Sequence, residues 1–249
     1  MHYLGSMTDH SKKIFLNYLS GYWNDLISLW YPNLCASCNR NLVGNEQIIC
    51  THCKAALPLT SFHKIPGNAV EKVFWGKINF ERASALLYFN KKGITQQLIH
   101  KLKYKGRTDI GEWLGRLIGH DLIDTYPFCD ANYIVPVPLH HSKLRSRGYN
   151  QTDLLCNGMA EVLQIPIERR LLRRVRKNET QTHKSRLERW RNVDELFECH
   201  ANGITENPRF LLVDDVITTG ATLEACALAL YDSFPGARIN FVCGAFAHY

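Results

Sequence analysis

Phe210-Leu-Leu-Val-Asp-Asp-Val-Ile-Thr-Thr-Gly-Ala-Thr222 runs four apolar residues into two adjacent acids, then into a hydroxyl- and glycine-rich turn that opens an apolar helical pattern. A short apolar run without alternation reads as a strand buried on both faces, the habit of a central strand in a parallel sheet. In an open α/β sheet the ligand crevice lies where strands stop and loops begin, so Asp214 and Asp215 are delivered to it. Two adjacent carboxylates are costly unless something uses them. Ribose hydroxyls can donate to them, and a magnesium ion can offset their charge. Thr218, Thr219, Gly220, Ala221 and Thr222 have the opposite task, because backbone N–H groups and hydroxyls can surround a phosphate at the positive end of a helix. Gly220 supplies either a positive φ or room for close approach. Leu223, Ala227, Leu230, Tyr231 and Phe234 then keep helical spacing until Pro235-Gly236 ends the run. No Gly-Lys-Ser/Thr follows, so the phosphate loop of nucleotide hydrolases is excluded.

Working outward, 249 residues with 45% hydrophobic content provide for one large or two modest domains. The formal charge of +7 is concentrated. Arg169, Arg170, Arg173, Arg174, Arg176, Lys177, Lys184, Arg186, Arg189 and Arg191 face only Glu179 and Glu188 in their stretch. Such a field draws polyanions, either a pyrophosphate-bearing donor or nucleic acid. Near the start, Ile14, Tyr18, Tyr22, Leu26 and Trp30 recur every four residues, which predicts an amphipathic helix within residues 1–30. Asn17, Gly21, Asn24 and Asp25 interrupt it too often for a membrane span, and no secretory leader is visible.

Cys35-x2-Cys38 and Cys50-x2-Cys53, eleven residues apart, supply two thiolate pairs at a spacing suited to tetrahedral zinc. The expectation is a structural zinc ribbon over residues 31–60, in which the metal replaces a core too small to form. Zinc would contribute on the order of 10 kcal/mol or more to folding. A redox pair fits less well, since two pairs occur together, and disulfides require an oxidising compartment. The dispersed Cys129, Cys156, Cys199, Cys226 and Cys243 read as small buried residues in a reducing cytoplasm.

Between the two motifs, Pro58 to Pro66 reads as a connector and Arg82 to Phe89 as a strand. Ile94, Leu98, Ile99 and Leu102 mark a helix with a basic exit at Lys101, Lys103, Lys105 and Arg107. A second helix is expected from Asp109 to Asp124, with Trp113, Leu114, Leu117, Ile118 and Leu122 inward. Tyr133-Ile-Val-Pro-Val-Pro-Leu139 reads as a strand that ends near Val135, because prolines cannot donate in a central ladder. A cationic loop follows, with Lys143, Arg145 and Arg147 available to phosphates, and then a helix from Gln151 to Leu163.

The Asp214-to-Thr222 segment resembles the signature of type I phosphoribosyltransferases, which bind 5-phosphoribosyl-1-pyrophosphate (PRPP). The wider set Cys35/Cys38/Cys50/Cys53, Pro136-Val-Pro-Leu139, Arg147-Gly-Tyr-Asn-Gln151, Thr180-Gln181 and Asp214-to-Gly220 is similar to the ComF family. That resemblance implies a parallel α/β phosphoribosyltransferase-like domain at 80–249 behind the zinc ribbon. It further implies that Asp214 and Asp215 contact ribose at the catalytic centre, and that Thr218 to Thr222 bind the 5′-phosphate. Pro136, Val137, Pro138, Leu139 and Lys143 take the pyrophosphate-loop position, where a non-trans proline bond is within reach. Arg176 to Arg191, with Thr180, Gln181 and Arg186, forms a mobile hood, to which Arg147 adds charge. The implied ligands are PRPP with Mg2+, and the reaction is displacement of pyrophosphate from the anomeric carbon by an unassigned acceptor. The alternative is a non-catalytic PRPP sensor or single-stranded-DNA-binding accessory protein of the competence machinery. Tyr104 and Trp190 are the aromatics placed for base stacking.

Overall fold

The computed structural model describes residues 33–175, 196–201 and 203–247. The amphipathic segment 1–30 and the hood residues Thr180, Gln181, Arg186 and Trp190 lie outside them. The chain divides into two compact units, Met1–Ala55 and Ala56–Tyr249. In the first, a bridge between Leu34 and Asn41 closes one cysteine turn, and α1 (Thr51–Ala55) starts directly after Cys50 and carries Cys53 of the other.

The second unit is built on a four-stranded parallel sheet, order β1 (Ala83–Tyr88), β6 (Arg238–Phe246), β5 (Arg209–Ile217), β2 (Tyr133–Pro136). Its remaining elements are α2 (Ala69–Phe74), α3 (Ile94–Tyr104), α4 (Thr108–Leu122), α5 (His141–Arg147), α6 (Gln151–Leu163), the antiparallel hairpin β3 (Leu172–Val175) and β4 (Leu196–Cys199), and α7 (Ala221–Ser233). Phe210, Leu211, Leu212 and Val213 have no exposed surface, as their unbroken apolar run implies. Phe210 and Leu212 share a core with Phe241 of β6, Phe74 of α2, the hairpin, and Leu223, Ala227 and Leu230 of α7. Helices α4 and α6 pack against each other, α6 against β5 and β2, and α4 against β6.

The contact between α4 and α6 explains a departure from the expected helix face. The buried stripe of α4 is Ile110, Gly111, Leu114, Gly115, Ile118, Gly119 and Leu122, with Trp113 and Leu117 only half-buried at its edge. Glycines are its inner contact: a Cβ on Gly115 would lie 2.1 Å from the Leu155 carbonyl oxygen, and one on Gly158 2.0 Å from that of Glu112. The two backbones meet without side chains between them.

Strand β2 also runs one residue further than the prolines implied. It is an edge strand, and Pro136 pairs in register with Val213. The Ile134 N–H turns outward to the Pro166 carbonyl (2.8 Å), whereas Val137 N–H turns inward to Val213 (2.9 Å). By alternation, the donor that Pro136 lacks belongs to the outer side, where β5 does not need it. Both proline bonds of this turn are trans, the cis bond among the described residues being Tyr126–Pro127.

The expected cationic loop after β2 is instead the helix α5. His140 Nδ1 accepts from Ser142 N–H (3.2 Å) at its start, and Gly148 closes it at φ +79 with its N–H on the Leu144 carbonyl. The residues after it then fasten three elements. Tyr149 donates its hydroxyl to the Leu102 carbonyl at the end of α3. Asn150 caps α6 through Thr152 N–H (3.3 Å) and ties it to β2 through the Val137 carbonyl (3.1 Å). Gln151 accepts from Arg147 at 2.6 Å. The Arg147-to-Gln151 motif is thus a junction of the fold.

Candidate functional site

Strand β5 does not stop before its acids. Pairing with β6 continues through Asp214–Cys243 and Val216–Ala245 to Ile217–Phe246, so both carboxylates lie within the carboxyl-terminal half of the strand. Neighbouring strand residues project to opposite faces. Asp215 takes the α3 face, where Lys103 Nζ donates to Oδ1 at 2.9 Å and stands 2.7 Å from Oδ2. Asp214 takes the alternate position, and its Oδ1 accepts from the Asp215 N–H at 2.7 Å. Burial, with the negative charges of Asp214 and Asp215 beside it, pushes the Cys243 thiol well above its usual range, so that thiol stays protonated and inert.

A cavity of about 350 Å³ opens beside Asp215. Phe89 after β1, Ile99, His100, Lys103 and Tyr104 of α3, and Thr218 after β5 contribute walls. The crevice therefore lies at the carboxyl ends of β1 and β5, as the position of the acids implies. Thr218 and Thr219 are exposed, Gly220 is buried, Ala221 is exposed and Thr222 is half-buried. Gly220 is the N-cap of α7 at φ +78. A Cβ there would lie 2.8 Å from both Val73 and Phe74 side-chain atoms, so α2, rather than a ligand, accounts for the missing side chain. Pro136 and Val137 are buried, Pro138 and Leu139 half-buried, and Lys143 is exposed on α5.

Sequence reasoning missed Lys103 as a site residue. It reads as one of a row of solvated lysines on α3, and only the packing of that helix turns it to Asp215. Tyr104 is 63% exposed, with the Arg147 guanidinium 5.1 Å from its ring centre and the His100 ring at 5.1 Å.

In the first unit, the sulfurs of Cys35, Cys38, Cys50 and Cys53 all lie within 4.8 Å of one another, and Cys38 and Cys50 are 3.7 Å apart. A tetrahedron of Zn–S bonds of about 2.3 Å sets sulfurs about 3.8 Å apart, so the donor set fits zinc. Burial opposes ionisation of Cys35, yet the Cys50, Cys38 and Ser37 N–H groups bring it down to about 6. Burial and the neighbouring thiols push Cys53 up to about 12. Zinc would be held by all four as thiolates, releasing the remaining protons on binding.

The second unit is a parallel α/β domain with acids near a strand end beside a glycine-opened helix, and the first carries a four-cysteine cluster with the donor set of a zinc module. No family model matches the chain. It is 32% identical over 197 residues to Competence protein F of Haemophilus influenzae, covering 77% of this chain and 81% of that protein. It is 28% identical over 221 residues to DNA utilization protein YhgH of Escherichia coli K12, covering 87% and 92%. The chain belongs to the family of Competence protein F. Among solved structures it is similar to glutamine phosphoribosylpyrophosphate amidotransferase from B. subtilis, with TM-score 0.40 and 19% identity, over 58% of this chain and 30% of that one. Among the described residues no helix is long and apolar enough to cross a membrane.

Proposed function

We propose that the second unit binds PRPP at the carboxyl end of β5 and serves DNA uptake, in keeping with the names of its relatives. The observation that carries this reading is the run from β5 into α7. It delivers Asp215 to a cavity wall, then Thr218 and Thr219 to the surface, then a left-handed glycine that opens a 13-residue helix. The acids accept from ribose hydroxyls, and the α7 N-terminus with Thr218, Thr219 and Thr222 receives the 5′-phosphate. Pro136 to Leu139 and Lys143 take the pyrophosphate end.

Asp214 and Asp215 are hard oxygen donors of the kind magnesium accepts, so these residues fit a metal–donor complex. Magnesium, when bound, would neutralise charge on the departing pyrophosphate. The carboxylates hold the sugar and tolerate positive charge at the anomeric carbon as an acceptor displaces pyrophosphate. Isothermal titration of PRPP with magnesium tests the assignment. Asp214→Asn combined with Asp215→Asn is expected to weaken binding at least about a hundredfold, since each loses a charged hydrogen-bond acceptor. Unchanged affinity in the double variant removes the site.

A second reading has its own observation. His100 and Tyr104 are exposed with their tilted rings 5.1 Å apart, the half-buried Arg147 guanidinium lies 5.1 Å from the Tyr104 ring centre, and exposed Lys143 and Arg145 stand on the same helix as Arg147, a surface suited to single-stranded DNA. The two readings share His100 and Tyr104, which also wall the cavity beside Asp215, so the two ligands would meet overlapping surfaces.

A further inference from the structure

Lys103 occupies the carboxylate that the proposed site needs. Its ammonium reaches both oxygens of Asp215, at 2.9 and 2.7 Å, and the pair is largely shielded, with side-chain exposures of 21% and 14%. The helix beneath it is fixed: Leu98 and Leu102 are fully buried, and Tyr149 grips the Leu102 carbonyl. Lys103 can therefore leave Asp215 only by rotating its own side chain. The room exists, because Lys103 and Asp215 both line the cavity of about 350 Å³, against about 30 Å³ for a water molecule.

We propose that Lys103 is a positioning residue that blocks Asp215 to divalent metal in the ligand-free protein and moves to the phosphate groups of PRPP when metal and donor arrive together. The inference rests on the PRPP reading and adds an order of binding to it. Without Lys103, Asp215 would stand on the cavity wall as a carboxylate with no ammonium on it, open to any divalent ion. With it, Asp215 is already neutralised, and a metal ion alone must displace an ammonium held at hydrogen-bond distance. A polyphosphate donor changes the balance, since it offers the ammonium other anionic oxygens while its metal and hydroxyls take over Asp215.

The experiment uses the full chain with manganese as a magnesium substitute, free ion being followed by electron paramagnetic resonance, and PRPP binding by calorimetry. Lys103→Met is expected to bind manganese alone at least about tenfold more tightly than wild type, the size of effect one adjacent opposite charge exerts on a carboxylate. The same variant should bind PRPP with manganese about tenfold more weakly, because the ammonium no longer meets the phosphates. Lys103→Arg should restore the block on manganese. Lys103→Gln, which keeps a polar tip, serves if the methionine variant does not fold, and Asp215→Asn in the Lys103→Met background should abolish the gain. Unchanged manganese affinity in both neutral variants overturns the proposal, as does a parallel loss of manganese and PRPP affinity. Failure of wild type to bind PRPP at all removes the proposed function, whereas the manganese arm still decides whether Lys103 guards Asp215.

Discussion

Asn68 makes five hydrogen bonds with one side chain that is 4% exposed. Its oxygen caps α2 by accepting from Val70 (2.9 Å) and Glu71 (3.1 Å) N–H groups, while its amide donates to the carbonyls of Phe62, Ile65 and Ala83. Helix α2 in turn supplies the Val73 and Phe74 atoms against which Gly220 sits. Asn68→Ala is expected to cost about 2–4 kcal/mol, a lost cap plus buried carbonyls left unpaired, read from denaturant midpoints. Asn68→Asp keeps the cap, loses the donors and sets a second carboxylate beside buried Glu71, so it should be at least as damaging. His63, 5% exposed, has its Nδ1 3.5 Å from Asp121. Burial lowers its pKa, Lys64 and Arg82 add to the effect, and Asp121 opposes it. The unfolded chain therefore takes up this proton at higher pH than the native one, and stability falls as pH drops through the ordinary histidine range near 6.5. Burial raises the Asp121 pKa, with His63 opposing. That shift has the other sign and belongs to the carboxylate range, so it does not cancel the histidine slope. Melting from about pH 7.5 to about 5.5 should show the decline, with a shallower slope in His63→Gln.

At the scale of elements, the interlock of α4 and α6 is the least forgiving contact. A methyl on Gly158 would stand 2.7 Å from the Arg116 nitrogen as well as 2.0 Å from the Glu112 oxygen, and backbone atoms cannot rotate away. Gly158→Ala is expected to destabilise by about 3 kcal/mol or more, whereas Ala160→Gly on the same helix should cost only about 1 kcal/mol; thermal unfolding separates them. This interlock was not legible in the sequence, where glycines in α4 weaken a helical pattern and say nothing of what approaches them. Patterned apolar runs were legible: β5, α7 and α6 follow from continuous burial or from spacing of three and four. Helix α5 was hidden because its residues are nearly all polar and its existence depends on the caps His140 and Gly148. Lys103 was hidden for a different reason, since an ion pair 112 residues apart leaves no local pattern.

For the whole molecule, charge gives the sharpest separation between the two ligand readings. The chain carries a formal +7, and exposed Lys143 and Arg145 stand on α5 near the Arg147–Tyr104 stack. Single-stranded DNA on this surface must release counterions, so the logarithm of affinity should fall linearly with the logarithm of salt, by about 0.7 for each phosphate neutralised. Lys143→Gln with Arg145→Gln removes two such contacts and should make the slope shallower by about 1.4. Tyr104→Ala removes a stacking platform worth about 1–3 kcal/mol per base and should lower affinity at every salt concentration while leaving the slope almost unchanged. The two variants thus act on different axes of one measurement, fluorescence anisotropy of a labelled oligonucleotide between about 50 and 300 mM salt. PRPP binding should tolerate the α5 double change better than Asp214→Asn with Asp215→Asn, because Lys143 meets only one end of the donor. A salt-independent affinity, or one that Tyr104→Ala leaves intact, excludes this face as the DNA surface and leaves PRPP at the β5 pocket as the reading that stands.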